Sequence, residues 1–241
     1  LVKDSVDTQT RQALKKQDPL VHVTEAGAEW LQLNRETAIR SAIIGVVVIL
    51  LIVGGVVFYT QRSAAAENAF GSAMNTYATP IANPAQPAPP GTKTFASAEE
   101  RAKVSNPLFL DVANHYGLTS AGHDALYFAG LTYADMGQTA QAETYLKKAI
   151  GSAGSNVSSL AKLALANLYA QSGRNADAIK LLQELVKKPT DAVPVGSSQL
   201  TLAALYQTTD PAAAHQIYAV LKDKDTTTAA GAIAAQKLAG K

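Results

Sequence analysis

Between Arg40 and Arg62 the chain carries no charged side chain, and residues 42–59 are drawn only from Ala, Ile, Val, Leu, Gly, Phe and Tyr. No other feature limits the fold as strongly. Eighteen residues at ~1.5 Å rise make a helix of roughly 27 Å, close to the ~30 Å hydrocarbon core of a bilayer. Thirteen of the 18 are Val, Ile, Leu or Phe. At about −0.3 to −0.6 kcal/mol each near a helix centre, they favour insertion by roughly 4–8 kcal/mol. The following "SAAAE", with Ala64, Ala65 and Ala66, has the look of a signal-peptidase site. A cleaved leader, however, carries an apolar stretch of only about 7–15 residues behind a short basic segment. Here the preceding residues are of mixed charge, six Lys/Arg and six Asp/Glu. The sequence predicts an anchor that stays, with the alanines beginning a helical extension.

Orientation follows from lysine and arginine placement. Lys3, Arg11, Lys15, Lys16, Arg35 and Arg40 lie before the run; after it come Arg62 and then nothing basic until Lys93. This predicts a cytoplasmic N-terminal tail and a C-terminal part on the outer side, with Tyr59 at the outer interface. Ser41 and Gly45 form a small-xxx-small pair, and Gly54 and Gly55 a flat patch, where such helices associate; both are also common in single anchors.

The rest of the chain is nearly neutral, with 15 basic and 13 acidic residues from Arg62 onward, well interspersed. That excludes the basic, aromatic-interleaved surface that nucleic-acid binding needs. The absence of cysteine removes disulfides, thiolate metal sites and thiol nucleophiles together. About 180 residues suffice for one core or for a repeat array.

Helical periodicity dominates from Ala64, with no alternating strand pattern. "SAAAENAFGSAMNTYA" reads as a helix continuing from the anchor. "TPIANPAQPAPPGTK" follows, with five prolines from Pro80 to Pro90, and must be an extended or irregular connector. Helix resumes near Ser97, a suitable N-cap, with Glu99 and Glu100 in the first turn where the dipole favours acids. Beyond this the sequence repeats. Tyr133, Gly137, Ala142, Leu146 and Ala149 recur 36 residues later as Tyr169, Gly173, Ala178, Leu182 and Leu185. A third copy carries Tyr206, Ala214, Tyr218 and Leu221. A fixed period in this range implies stacked units of two amphipathic helices. Gly137 and Gly173 suit a turn that needs φ > 0. In the third copy Asp210 caps and Pro211 opens the second helix. Gly130, Ala142, Ala166, Ala178, Ala203 and Ala214 allow close helix approach.

At these residues the chain resembles the tetratricopeptide repeat: Gly130 and Tyr133 match its first helix, and Ala142, Leu146 and Ala149 its second. It departs in its 36-residue period, against 34 in the family, and in a missing final proline; "GSAGSN" and "KKPTDAVP" are expected to lengthen the loops. "ENAFGSAMNTY" and "SAEERAKVSNPLFLDVANHYG" are expected to form a degenerate first unit with the proline loop inserted at its turn. "TTTAAGAIAAQKLAGK" is expected to be a closing helix. The predicted organisation is a cytoplasmic tail with a juxtamembrane helix at 1–40, a transmembrane helix at 41–60, a degenerate repeat at 61–118 with the loop at 79–93, and repeats with the closing helix at 119–241. The fold class is all-α, one transmembrane helix followed by a tetratricopeptide-like α-solenoid.

The whole layout is similar to the YfgM-like ancillary subunits of the bacterial SecYEG translocon: a short tail, a segment like "TEAGAEWLQLNRETAIRSAIIGVVV" entering one anchor, and repeats beyond it. This resemblance implies an inner-membrane protein with periplasmic repeats, working beside the translocon with periplasmic chaperones.

Chemistry is hard to find. His22, His115, His123 and His215 include no pair at i,i+3 or i,i+4 spacing and no HExxH pattern. Lys93 in "PPGTKT" lacks the GxxxxGK[ST] spacing of a phosphate loop. Glu99 and Glu100 point to different helix faces. Asn156 in "NVS" reads as a loop residue, and Trp30 as an apolar-face or interfacial residue. No catalytic constellation, cofactor or metal site is expected, and the chain is not expected to be an enzyme. What the repeat resemblance implies instead is a protein-binding face on the first helix of each unit: Asp124, Tyr127, Leu131 and Asp135, then Leu163, Asn167 and Gln171, then Leu200, Ala204 and Gln207. Asn167 falls where some peptide-binding members use an asparagine, but the accompanying lysines of a carboxylate clamp are absent. Such a mixed lining suits tolerant contact with extended chains. The leading expectation is a scaffold or co-chaperone whose partners are translocon subunits, periplasmic chaperones or exported chains, with membrane lipid around its anchor and no nucleic acid. The alternative is a structural subunit or assembly factor of another large bacterial membrane complex.

Overall fold

The computed structural model describes Trp30 and residues 33–85, 88–224 and 227–240. The tail residues read above for orientation, Lys3, Arg11, Lys15 and Lys16, and also His22, lie outside the described residues. Among the described residues there are nine helices and no strand: α1 (Arg35–Tyr77), α2 (Ala98–His115), α3 (Ser120–Asp135), α4 (Thr139–Ser152), α5 (Ser155–Gln171), α6 (Asn175–Lys187), α7 (Val195–Thr209), α8 (Pro211–Lys224) and α9 (Ala229–Leu238). The chain divides into two compact units, Leu1–Tyr59 and Thr60–Lys241.

In the first unit α1 is apolar on every side over residues 42–59. Ile44, Leu50, Leu51 and Phe58 are all 64% or more exposed. The most apolar 18-residue window has a mean hydropathy of 3.0, and none of it is buried. A helix that is hydrophobic all round belongs in a core or in lipid. By length and composition α1 is a candidate membrane span.

The second unit is built from consecutive contacts, each helix from α2 to α9 packing on the next, with α3 also meeting α5 and α7 meeting α9. This neighbour-to-neighbour pattern is that of a solenoid. Small residues set its spacing: Ala129, Ala142, Ala166, Ala178, Ala203 and Ala214 are all at most 2% exposed. At Gly130 a Cβ would lie 2.7 Å from Leu146 Cγ and 3.1 Å from Leu146 N, so the α3–α4 crossing needs glycine. Leu146, Leu165, Leu182 and Leu221 fill the spaces between.

Two turns have the geometry that the glycines suggested. Gly137 has φ +72° and Gly173 φ +77°. After each, an amide reaches back to close the helix end, Gln138 to the Tyr133 carbonyl at 2.9 Å and Arg174 to that of Tyr169 at 2.8 Å. Asp210 Oδ1 accepts from the Ala213 amide at 3.1 Å, capping α8, which begins with Pro211. Ser97 Oγ accepts from Glu100 N, and Glu100 Oε2 accepts from Ala96 N, a reciprocal cap on α2. Thr228 likewise caps α9.

One loop reading is corrected. "GSAGSN" scarcely lengthens its loop: Gly151 and Ser152 end α4, Ala153 and Gly154 connect, and Ser155 and Asn156 already belong to α5. Asn156 is therefore a helix residue. The reason is that the apolar positions of α5 begin at once with Val157 and Leu160, and Ser158 Oγ donates to the Ile150 carbonyl at 2.9 Å, tying the two helices together. The longer connector before α7 turns Val193 into the core, 1% exposed. The proline segment is closed at its neck by a bridge between Ile81 and Phe95, with Ala82 N donating to Phe95 O (2.8 Å) and Phe95 N to Pro80 O (2.9 Å).

Candidate functional site

Asp124, Tyr127, Leu131 and Asp135 follow one another at three- and four-residue steps and so share a face of α3. The first three are half-buried; Asp135 is more open. The face is founded on an aromatic cluster joining α1, α2 and α3. Phe109 stacks on Phe128 at 5.1 Å, Phe70 and Tyr77 meet both rings at 5.6–5.9 Å, and Tyr127 stands edge-on to Phe128 at 5.0 Å. Arg101 lies over the Tyr77 ring, 4.6 Å from its centre, and reaches Asp135 at 3.9 Å. Asn106, buried, donates to Thr132 Oγ1 at 2.9 Å and fixes α2 to α3 behind this face.

The electrostatics follow from partial burial. Burial pushes the Asp124 carboxyl above its usual range, the Glu67 charge adds to the push, and His123 opposes it. Burial also raises Asp135 against the pull of Arg101. The phenols of Tyr127 and Tyr77 are raised too, first by burial and then by each one's neighbour, Tyr77 and Asp135 respectively. Such a face offers acceptors and aromatic edges partly shielded from bulk water.

Farther along, the expected residues divide. Leu163 and Leu200 are half-buried and pack against the cores. Asn167, Gln171 and Ala204 are exposed. Gln207 is exposed and lines a cleft of about 270 Å³ with Pro211, His215, Tyr218, Lys237 and Leu238. Glu67, Tyr77 and Arg101 were missed. A signal for the first was present: Glu67, Phe70 and Met74 precede Asp124, Tyr127 and Leu131 by 57 positions each, a repeat offset hidden by the proline insertion.

A second polar group stands between α4, α5 and the start of α6. Glu143 accepts from Tyr169 Oη (2.8 Å), Lys147 Nζ (2.6 Å) and Arg174 (2.8 Å), and Arg174 lies 3.9 Å over the Tyr169 ring. Every member is satisfied by another, which marks a structural clasp. Among the described residues no three His, Cys, Asp or Glu side chains gather to hold a metal ion.

Stacked helical hairpins with close small-residue crossings and a partly open first-helix face define an α-helical repeat protein of the kind that carries protein–protein contacts. The chain belongs to the tetratricopeptide repeat-like domain family, whose model matches residues 30–193, from the foot of α1 through the connector after α6. A search of curated proteins returned no match.

Proposed function

We propose that this chain is a single-pass scaffold of a bacterial inner membrane, its tail cytoplasmic and its repeats periplasmic, that binds protein segments emerging near the Sec translocon. The observation that carries the reading is the combination, on one continuous helix, of an entirely uncovered apolar stretch and the first packing partner of a repeat domain. Lysine and arginine placement supports the orientation, and the similarity to YfgM-like ancillary translocon subunits supports the location. The binding face is that of Asp124, Tyr127, Leu131 and Asp135, extended by Asn167, Gln171, Ala204 and Gln207 and by the half-buried Leu163 and Leu200. Its mixed acidic, amide and aromatic character suits extended chains without a strict motif.

Photo-crosslinkers placed at Tyr127 and Asn167 in cells test this. Many exported proteins, translocon subunits or periplasmic chaperones trapped from both positions support it. Stoichiometric capture of the subunits of one other membrane complex, without the translocon, would replace it by the assembly-subunit reading. A reporter enzyme fused after Lys241 and active only in the cytoplasm would end it.

A further inference from the structure

We propose that the α2–α3 loop makes a second contact with the bilayer, seating Leu118 in the interfacial layer beside the anchor. The inference rests on the membrane reading above. Leu118 is 83% exposed, whereas the next most exposed large apolar residue of the second unit, Val104, is 48% exposed. A lone exposed leucine is ordinary; its position is what distinguishes this one.

Arg62 donates to the His115 carbonyl and lies over the Tyr116 ring, 5.3 Å from its centre. It follows the last residue of the apolar run, Tyr59, by three positions. In a helix that is a rise of about 4.5 Å, and even a fully extended chain spans at most ~11 Å. The headgroup layer on each side of a bilayer is roughly 5–8 Å thick. On the helical rise Arg62 lies within the headgroup layer, and its contacts keep His115 and Tyr116 near the membrane surface.

The loop is also stiff. Thr119 Oγ1 donates to Tyr116 O at 2.8 Å and accepts from Gly122 N at 3.1 Å, and Thr119 N donates to Tyr116 O at 2.9 Å. Gly122 sits so close that a Cβ there would fall 2.0 Å from the Tyr116 carbonyl oxygen. Such a turn holds Leu118 outward. Tyr116 and Arg62 are amphipathic types suited to the interface, and the Asp111 carboxylate lies 2.8 Å from the His115 ring.

The chain has no cysteine, so Leu118→Cys gives a unique thiol. An environment-sensitive fluorophore is attached there, at Val53→Cys in the span, and at Ala176→Cys on the exposed start of α6. Each full-length variant is reconstituted in vesicles of phosphatidylethanolamine and phosphatidylglycerol. At position 118 the probe should be quenched by lipids with a nitroxide high on the acyl chain and shielded from aqueous iodide, unlike the probe at 176. Adding Arg62→Gln should weaken the nitroxide quenching at 118. Iodide access equal to that at 176, with position 53 still quenched by lipid, overturns the inference and leaves the anchor standing. An unquenched position 53 overturns both. Quenching at 118 unchanged by Arg62→Gln overturns the tether.

Discussion

Replacing Gly130 by alanine places one methyl group at the α3–α4 crossing, 2.7 and 2.8 Å from Leu146 Cγ and Cδ2 and 3.1 Å from Leu146 N. Ordinary carbon contacts lie at about 3.5–4.0 Å. Leu146 is 1% exposed and its backbone belongs to α4, so it has little room to retreat. Overpacking of this kind costs about 1–3 kcal/mol, while glycine to alanine within a helix gains ~1 kcal/mol. The crossing should win, with a net loss on the order of 1 kcal/mol. Gly71→Ala in α1, where the added methyl meets nothing within 4 Å, should keep the propensity gain and stabilise by up to about 1 kcal/mol. At about 2–4 °C per kcal/mol for a domain of this size, the two variants should melt roughly 4–8 °C apart. The assay is thermal loss of helical circular dichroism of the full chain in detergent. Leu146→Ala alone should cost about 2–5 kcal/mol; combined with Gly130→Ala it should cost less than the sum, because Cγ and Cδ2, the two closest atoms, are gone and only the 3.1 Å backbone contact is left. Equal melting of the Gly130→Ala and Gly71→Ala variants, or strict additivity with Leu146→Ala, would refute the argument that close approach requires this glycine.

Gly173→Val puts a β-branched side chain at φ +77° and should lower stability by about 1–2 kcal/mol, read as a lower denaturation midpoint, whereas Gly173→Asn should cost less. Asn106→Val leaves the Thr132 hydroxyl without its α2 partner and should destabilise by about 1–3 kcal/mol, seen as faster amide exchange in α2 and α3. The Lys147 hydrogen bond, with help from Tyr169 and Arg174, holds the Glu143 carboxyl below its usual range of 4.5 against the opposing effect of burial. A depressed folded-state value contributes stability above the unfolded value that is lost as pH falls through the folded one. Acidification from neutral to below that range should therefore destabilise the native chain, and Glu143→Gln should show a shallower acid loss; identical acid profiles would contradict this.

How much of this could be read in advance depended on range along the chain. Ser97, Gly137, Gly173, Asp210 and Pro211 act on neighbours three to five residues away, so local chemistry named them correctly. The 36-residue offset likewise placed the alanine crossings, because each unit meets only the next. The Gly/Ser content of "GSAGSN" misled, since composition was weighed above the apolar positions starting at Val157. Tyr77 and Arg101 escaped because the insertion separates α1 from α2 and obscures the register that pairs Glu67 with Asp124. Leu163 and Leu200 carried the right periodicity for a first-helix face, yet their size lets them pack against the cores as well.

The Ile81–Phe95 bridge means that the proline excursion leaves and returns through a single pinched gate. Whatever occupies the span beyond that gate can grow, shrink or be exchanged while α1 and α2 keep their grip on Phe109, since longer loops add little closure entropy. A peptide tag or a small guest domain spliced beside Pro90 should therefore be carried as a passenger, giving the solenoid a handle at no expense to its helices.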